Sequence, residues 1–164
     1  MSSIKDVFVD VKSKIEEITE INHVAVFNNQ IEKSLEDQNK ELPFLYPACF
    51  IHFENIDYTD LPEGIQEGEG DMIVNVADWN LVESETNIFD LKTLVHQKIH
   101  LLKDTSDKYA VIRRDEEEMN TDHAGVNVYE MTYQIKFIDD TTQTQFTGST
   151  INNLSVSGTT KLFL

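Results

Sequence analysis

Between Ile88 and Leu102 the apolar residues recur at steps of three and four: Ile88, Leu91, Leu94, Val95, Ile99 and Leu102. That spacing gathers them on one face of a helix. Asn87 stands at the expected N-cap, and Asp90 falls in the first turn, where a carboxylate favours the positive helix end. Lys98, His100 and Lys103 lie near the other end. A stripe this wide needs a sheet to lie on. The residues just upstream supply one strand, Met72 to Trp79, in which Met72, Val74 and Val76 alternate with Ile73, Asn75 and Ala77.

The rest of the chain supplies more of that sheet. The cleanest two-residue period runs from Asn127 to Asp139. Tyr129, Met131, Tyr133, Ile135 and Phe137 point one way and Glu130, Thr132, Gln134 and Lys136 the other, as in an antiparallel strand with one wet face. Ala48 to Glu54 is apolar on both faces and reads as an interior strand, entered in extended form through Pro43 and Pro47. His23 to Phe27 reads as an edge strand, and Lys108 to Glu117 alternates weakly through Tyr109, Val111 and Arg113. An N-terminal helix of roughly four turns carries Ile4, Val7, Phe8, Val11, Ile15 and Ile18 on its apolar face. Ile31 to Lys40 is charged and reads as a loop or a short helix. Asp60 to Gly70, with Pro62, Gly64, Gly68 and Gly70, has turn chemistry and reads as a long hairpin connection reaching out from the sheet. The expected fold is α+β, a mainly antiparallel sheet with helices packed on one face, in a single domain over residues 1–140.

Residues 141–164 change character. They are mostly Thr, Ser, Asn, Gln and Gly, with Phe146, Ile151, Leu154, Val156, Leu162 and Phe163 isolated among them. Such a segment cannot build a core of its own. The expectation is an extended C-terminal interaction tail, ordered by packing on its own body or on a neighbouring subunit's sheet edge.

Composition narrows the function. A formal net charge of −17 argues against gripping nucleic acid, which needs Lys and Arg to neutralise phosphates. It is compatible with solubility alone, and with a wall that DNA passes without sticking. No apolar run approaches the ~20 residues needed to span a bilayer, and Met1 to Asp6 leads straight into an amphipathic pattern rather than a signal peptide. With Cys49 as the single cysteine, neither an internal disulfide nor a thiolate metal cluster is expected. These features point to an intracellular origin.

No motif makes a convincing active site. His96 and His100 have the i,i+4 spacing of a metal pair, but Gln97 stands where a zincin would carry its glutamate base. Asp122-His123, downstream of Asp115 to Glu118, lacks a second positioned group and reads as polar loop. Gly64, Gly68 and Gly70 are not followed by Lys-Ser/Thr, and Ser149 and Ser155 have no nucleophile-elbow context. Cys49 reads as a small buried hydrophobe. The expectation is a protein that is not an enzyme and that uses no cofactor or metal.

Several short pieces nevertheless resemble a family. Phe27-Asn28-Asn29-Gln30, Leu45 to Ile51, Gly64-Ile65-Gln66-Glu67-Gly68 and Ile88-Phe89-Asp90-Leu91 look like the small tail-completion, or tail-terminator, proteins of phages and prophages of the Bacteroidetes group. Asp122-His123 and the strand to Asp139 fit the same pattern, so the resemblance covers most of the chain from His23 to Asp139. It implies a sheet backed by helices and a hexameric ring that caps the tail tube and joins it to the neck. The implied partners are copies of the chain itself, the tail tube protein and neck or connector proteins, with DNA passing through the lumen without specific binding and no membrane involved. The implied location is the virion, with the host cytoplasm during assembly. Ring-closing contacts are expected from the hairpin, through Leu61, Ile65 and Gln66, and from the tail, through Phe146, Ile151, Leu154, Val156, Leu162 and Phe163. Alternative readings are a head–tail connector, the cap of a contractile injection system, or a small ligand-binding α+β domain with a deep pocket lined by His96, His100 and Asp122.

Overall fold

A computed structural model describes residues 3–36, 44–79, 87–120 and 125–142. The order of elements is α1 (Ile4–Ile15), β1 (His23–Val26), α2 (Gln30–Glu36), β2 (Ala48–Asp60), β3 (Gln66–Asp78), α3 (Asn87–Ile99), β4 (Arg113–Asn120) and β5 (Asn127–Asp139). The strands form one mixed sheet in the order β1-β2-β3-β5-β4. The fold is α+β as expected. Only β1–β2 is parallel; β2–β3, β3–β5 and β4–β5 are antiparallel. The parallel pair follows from the connection, because strands that run the same way need a crossover between them, and the segment containing α2 makes it.

The two-residue period from Asn127 to Asp139 becomes β5, paired on both sides with β3 and β4. Its inward residues Met131, Tyr133, Ile135 and Phe137 are at most 2% exposed. Each such side chain contributes roughly 1.5–3 kcal/mol relative to an exposed one. They share a core with Cys49 and Ile51 of β2 and Met72, Val74 and Val76 of β3. Over this face lie α1, through Val7, Val11 and Ile15, and α3, through Ile88, Leu91, Val95 and Ile99. The periodic stripe therefore finds the sheet it requires. Ser3 starts α1 with a capping box: its N–H donates to Asp6 Oδ2 at 2.8 Å and its Oγ accepts from the Lys5 N–H at 3.3 Å.

Four expectations need correction. The helices do not all share one face: Ile31 of α2 packs with Phe44, Ala48, Phe50, Ala77, Val126 and Val128, a second cluster on the opposite side. Ala48 and Phe50 alternate with Cys49 and Ile51, so β2 is covered on both faces over these residues, as its doubly apolar sequence requires. Asn87 is the first residue of α3 rather than a cap before it, and its Nδ2 donates to Asp78 Oδ2 at 3.3 Å. The strand read at Lys108 to Glu117 lies further on, so that Asp115 to Glu118 falls inside edge strand β4, while Tyr109 makes one isolated bridge to Phe137.

The fourth correction concerns the glycines. Gly68 and Gly70 are not turn residues but lie within β3. A Cβ at Gly68 would collide with the Phe137 ring, and one at Gly70 would come within 2.7 Å of the Asn55 carbonyl oxygen, where β2 bulges between Glu54 and Asp57. The long hairpin itself is present as β2–β3. It does not stand out from the sheet alone, because β5 flanks β3 as far as the Gln66–Asp139 pair.

Candidate interaction surface

The hairpin tip is built by a short turn of 3-10 helix at Pro62–Gly64. Leu61 N–H donates to Ile65 O at 2.8 Å and closes it. Glu63 and Gly64 adopt left-handed φ values of 66° and 75°. Glycine takes this conformation without penalty, whereas Glu63 is strained by it. Gln66 Nε2 donates to Asp60 Oδ1 at 2.8 Å, tying the two strand ends together. Of the three hairpin residues expected to meet a neighbour, Leu61 is 37% exposed and presents apolar surface. Ile65 and Gln66 are half-buried and hold the turn in shape.

The chain leaving β5 reaches the same corner. Thr141 N–H donates to Asp139 Oδ1 at 2.9 Å, and Thr142 Oγ1 donates to Gly64 O at 2.7 Å. The last described residue, Thr142, thus lies at the hairpin tip. Phe146, Ile151, Leu154, Val156, Leu162 and Phe163 lie outside the described residues, as do Asp122, His123, Ser149 and Ser155.

Two features of this corner escaped the sequence. Tyr58, in a stretch too polar to read as strand, sits on β2 with its ring edge-on to Phe137 at 6.0 Å and stays 48% exposed. The second is the edge of β2. Strand β1 covers it only from Ala48 to Ile51, and Phe27 N–H adds a bond to Ile51 O at 2.9 Å. Among the described residues no strand pairs with the outer side of β2 from Phe53 to Asp60. An uncovered edge is a template for another strand.

Beyond the cluster around α2, the sheet face away from α1 and α3 carries several carboxylates. Register places Glu118 opposite Glu130 and Glu116 opposite Thr132, with His52 and Glu54 on the same face of β2. Burial raises the Glu130 pKa, and the charges of Glu118, Glu54 and Glu116 raise it further against the opposing pull of His52.

The histidine pair is tied into the protein's own structure. The His96 and His100 rings lie 4.7 Å apart. His96 Nδ1 is 3.2 Å from Tyr133 Oη, and His100 Nδ1 accepts from the Arg114 N–H at 3.3 Å. Burial, then the Arg114 and His100 charges, lowers the His96 pKa. Beside them Lys92 bonds to Glu117 at 2.5 Å and to Tyr129 Oη at 3.1 Å, and Arg114 also pairs with Glu117. Among the described residues no three His, Cys, Asp or Glu side chains group as a metal set. Cys49 is fully buried, and burial raises its thiol pKa, so it is a poor nucleophile.

The surface grooves are lined by other residues. One of about 360 Å³ runs past Lys103, Lys108, Tyr109, Lys136 and Phe137. Its lysines are paired with Asp107, Asp6 and Glu67 at 3.5, 3.2 and 2.8 Å. Another, of about 340 Å³, lies against Ile88, Phe89, Met119 and Asn127. No described helix is long and apolar enough to cross a membrane. No protein-family model matches the chain, and no curated protein sequence matches it significantly.

Proposed function

We propose that the chain is a structural component of a phage or prophage tail. In this reading it is a tail-completion or terminator protein whose copies close into a ring, hexameric by resemblance, between the tail tube and the neck. The phage assignment rests on the short sequence resemblances between His23 and Asp139. The observation that carries the assembly role is the bond from Thr142 to Gly64, which joins the hairpin tip to the origin of the tail. The hairpin tip and Thr142, just before the expected tail segment, meet at one corner, beside a part of the β2 edge that no described strand covers.

The carboxylates on the sheet face away from α1 and α3 support the second half of the reading. Glu54, Glu116, Glu118 and Glu130 together make a surface that repels phosphate, suited to a lumen through which DNA slides without binding. Light scattering of the purified chain, with and without tail tube protein, tests the proposal. The expected result is a ring mass, alone or on addition of the tube protein. A monomer indifferent to the tube protein overturns it.

A further inference from the structure

Hydrogen bonding fixes where the protons of the histidine pair sit. The Arg114 backbone N–H can only donate, so His100 Nδ1, 3.3 Å away, receives it through a lone pair. A neutral ring with its lone pair on Nδ1 carries its proton on Nε2. Tyr133 is fully buried, and its hydroxyl has two acceptors in reach, His96 Nδ1 at 3.2 Å and Met131 Sδ at 3.5 Å. Thioether sulfur is the weaker acceptor, so Tyr133 donates to His96, and that ring also carries its proton on Nε2. Burial and the Arg114 charge hold His96 in this neutral form near neutral pH.

These tautomers suit no metal, which needs a lone pair where each Nε2 holds a hydrogen. They make a pair of donors instead. The two nitrogens of an imidazole sit on nearly opposite edges, so rings held to β4 and β5 through Nδ1 turn Nε2 away from the sheet. The rings lie 4.7 Å apart and are tilted by 33°. Among the described residues no group accepts from either Nε2–H, and neither nitrogen is a buried atom left without a partner, so both reach the surface.

Charge on this patch runs against that of the chain. The side chains whose charges act on His96 are Arg114, His100, Glu117 and Lys92, and only Glu117 among them is acidic. Glu117 is already shared by Lys92, Arg114 and the Tyr129 hydroxyl. Two cations on one carboxylate leave a positive charge over, within a chain of net charge −17.

We propose that the Nε2–H groups of His96 and His100, with the Arg114 guanidinium beside them, form a binding site for a carboxylate group. A carboxylate has two acceptor oxygens, and its single negative charge matches the one positive charge left over. A phosphate dianion would bring a second charge that nothing here offsets, in a chain this acidic. The inference shares no premise with the proposed function and needs neither a ring nor a tail tube.

Nitrogen-15 NMR of the full-length chain labelled at histidine tests it at pH ~8, above the ordinary histidine range. Spectra of His96→Gln and His100→Gln assign the two rings. The expected wild-type spectrum has Nε2 protonated and Nδ1 bare in both, and a bare Nε2 on either ring overturns the proposal. Sodium acetate is the probe, with sodium chloride at equal ionic strength as the control. The two Nε2 signals should shift together along one saturating curve with acetate and not with chloride. Arg114→Gln, which keeps the backbone N–H that His100 accepts, should weaken acetate binding roughly tenfold, near the lower end for a hydrogen bond to a charged group. An equal response to both salts, or an Arg114→Gln curve identical to that of the wild type, overturns the proposal. Tighter binding of inorganic phosphate than of acetate overturns the choice of a carboxylate, and loss of the Nε2 protons to micromolar zinc overturns it in favour of a metal. Raising the protein concentration without acetate separates two sources of the group. The same shift on concentration alone places a carboxylate of a second copy in the site, and a shift with acetate alone assigns the site to a free acid.

Discussion

Glu118 and Glu130 are register partners across the β4–β5 ladder, two carboxylates set directly opposite each other on the sheet face away from α1 and α3. Like charges in this position oppose pairing, by roughly 0.2–1 kcal/mol. Glu130 is raised above its ordinary value of 4.5 by burial first and by Glu118 next. The folded state therefore holds this proton to higher pH than the unfolded chain does. Stability from this site is greatest below the unfolded value near 4.5 and is lost as pH rises through the folded pKa. Glu130→Gln should stabilise the protein at neutral pH by roughly 0.2–1 kcal/mol, with the gain shrinking as pH falls toward 4.5. Urea unfolding at several pH values measures it. A gain that does not change with pH would assign the effect to packing instead.

His96 has the opposite slope. Its pKa lies below the ordinary 6.5 because burial, Arg114 and His100 all disfavour the imidazolium. Below pH 6.5 the unfolded chain takes up this proton before the folded protein does, so its contribution to stability is present above 6.5 and is lost as pH falls toward the folded pKa. His96→Gln, which keeps a polar partner for Tyr133, should flatten the loss of stability between neutral pH and the lowered pKa. The same slope in wild type and variant would show that other groups carry it.

What the sequence discloses about this fold follows burial. β5 and α3 are legible because one complete face of each is buried, which writes a period of two or of three to four into the residues from Ile88 to Phe137. β4 is not legible in the same way. Arg113 to Asn120 is an outer strand with mostly exposed side chains, so the sequence shows only the weak alternation from Lys108 to Glu117, which is displaced from the strand itself. The glycines mislead for another reason. Gly68 and Gly70 are required by the Phe137 ring and the β2 bulge, contacts made by residues distant in sequence. The hairpin tip is legible from turn chemistry around Pro62 and Gly64. That no described strand covers the β2 edge at Tyr58 depends on where β1 stops, which is a property of the assembled sheet.

Gly68 gives a direct test of that tertiary requirement. A side chain there must displace the Phe137 ring, which is 1% exposed and stacked edge-on with Tyr58. Gly68→Val should destabilise the protein by ~1–3 kcal/mol, the usual cost of overpacking, although valine favours strands. Thermal unfolding of the variant shows it as a fall in Tm. A neutral or stabilised variant would mean that the Phe137 ring moves aside without cost.

Thr142 tests whether the tail is truly tied to the hairpin tip. Its hydroxyl donates to Gly64 O at an exposed site, and Thr142→Val keeps the shape while removing the donor. A neutral hydrogen bond contributes about 0.5–1.5 kcal/mol, and this one lies beyond the last strand, so global unfolding should scarcely change. Local release should. Where cleavage follows the population of the open segment, a broad-specificity protease should cut between Asp140 and Phe146 roughly 2- to 12-fold faster, the factor equivalent to that energy. Thr141 stays bonded to Asp139 in the variant, so any acceleration reports the step from Thr141 to the hairpin tip. An unchanged cleavage rate would mean that the hydroxyl does not hold the segment after Thr142.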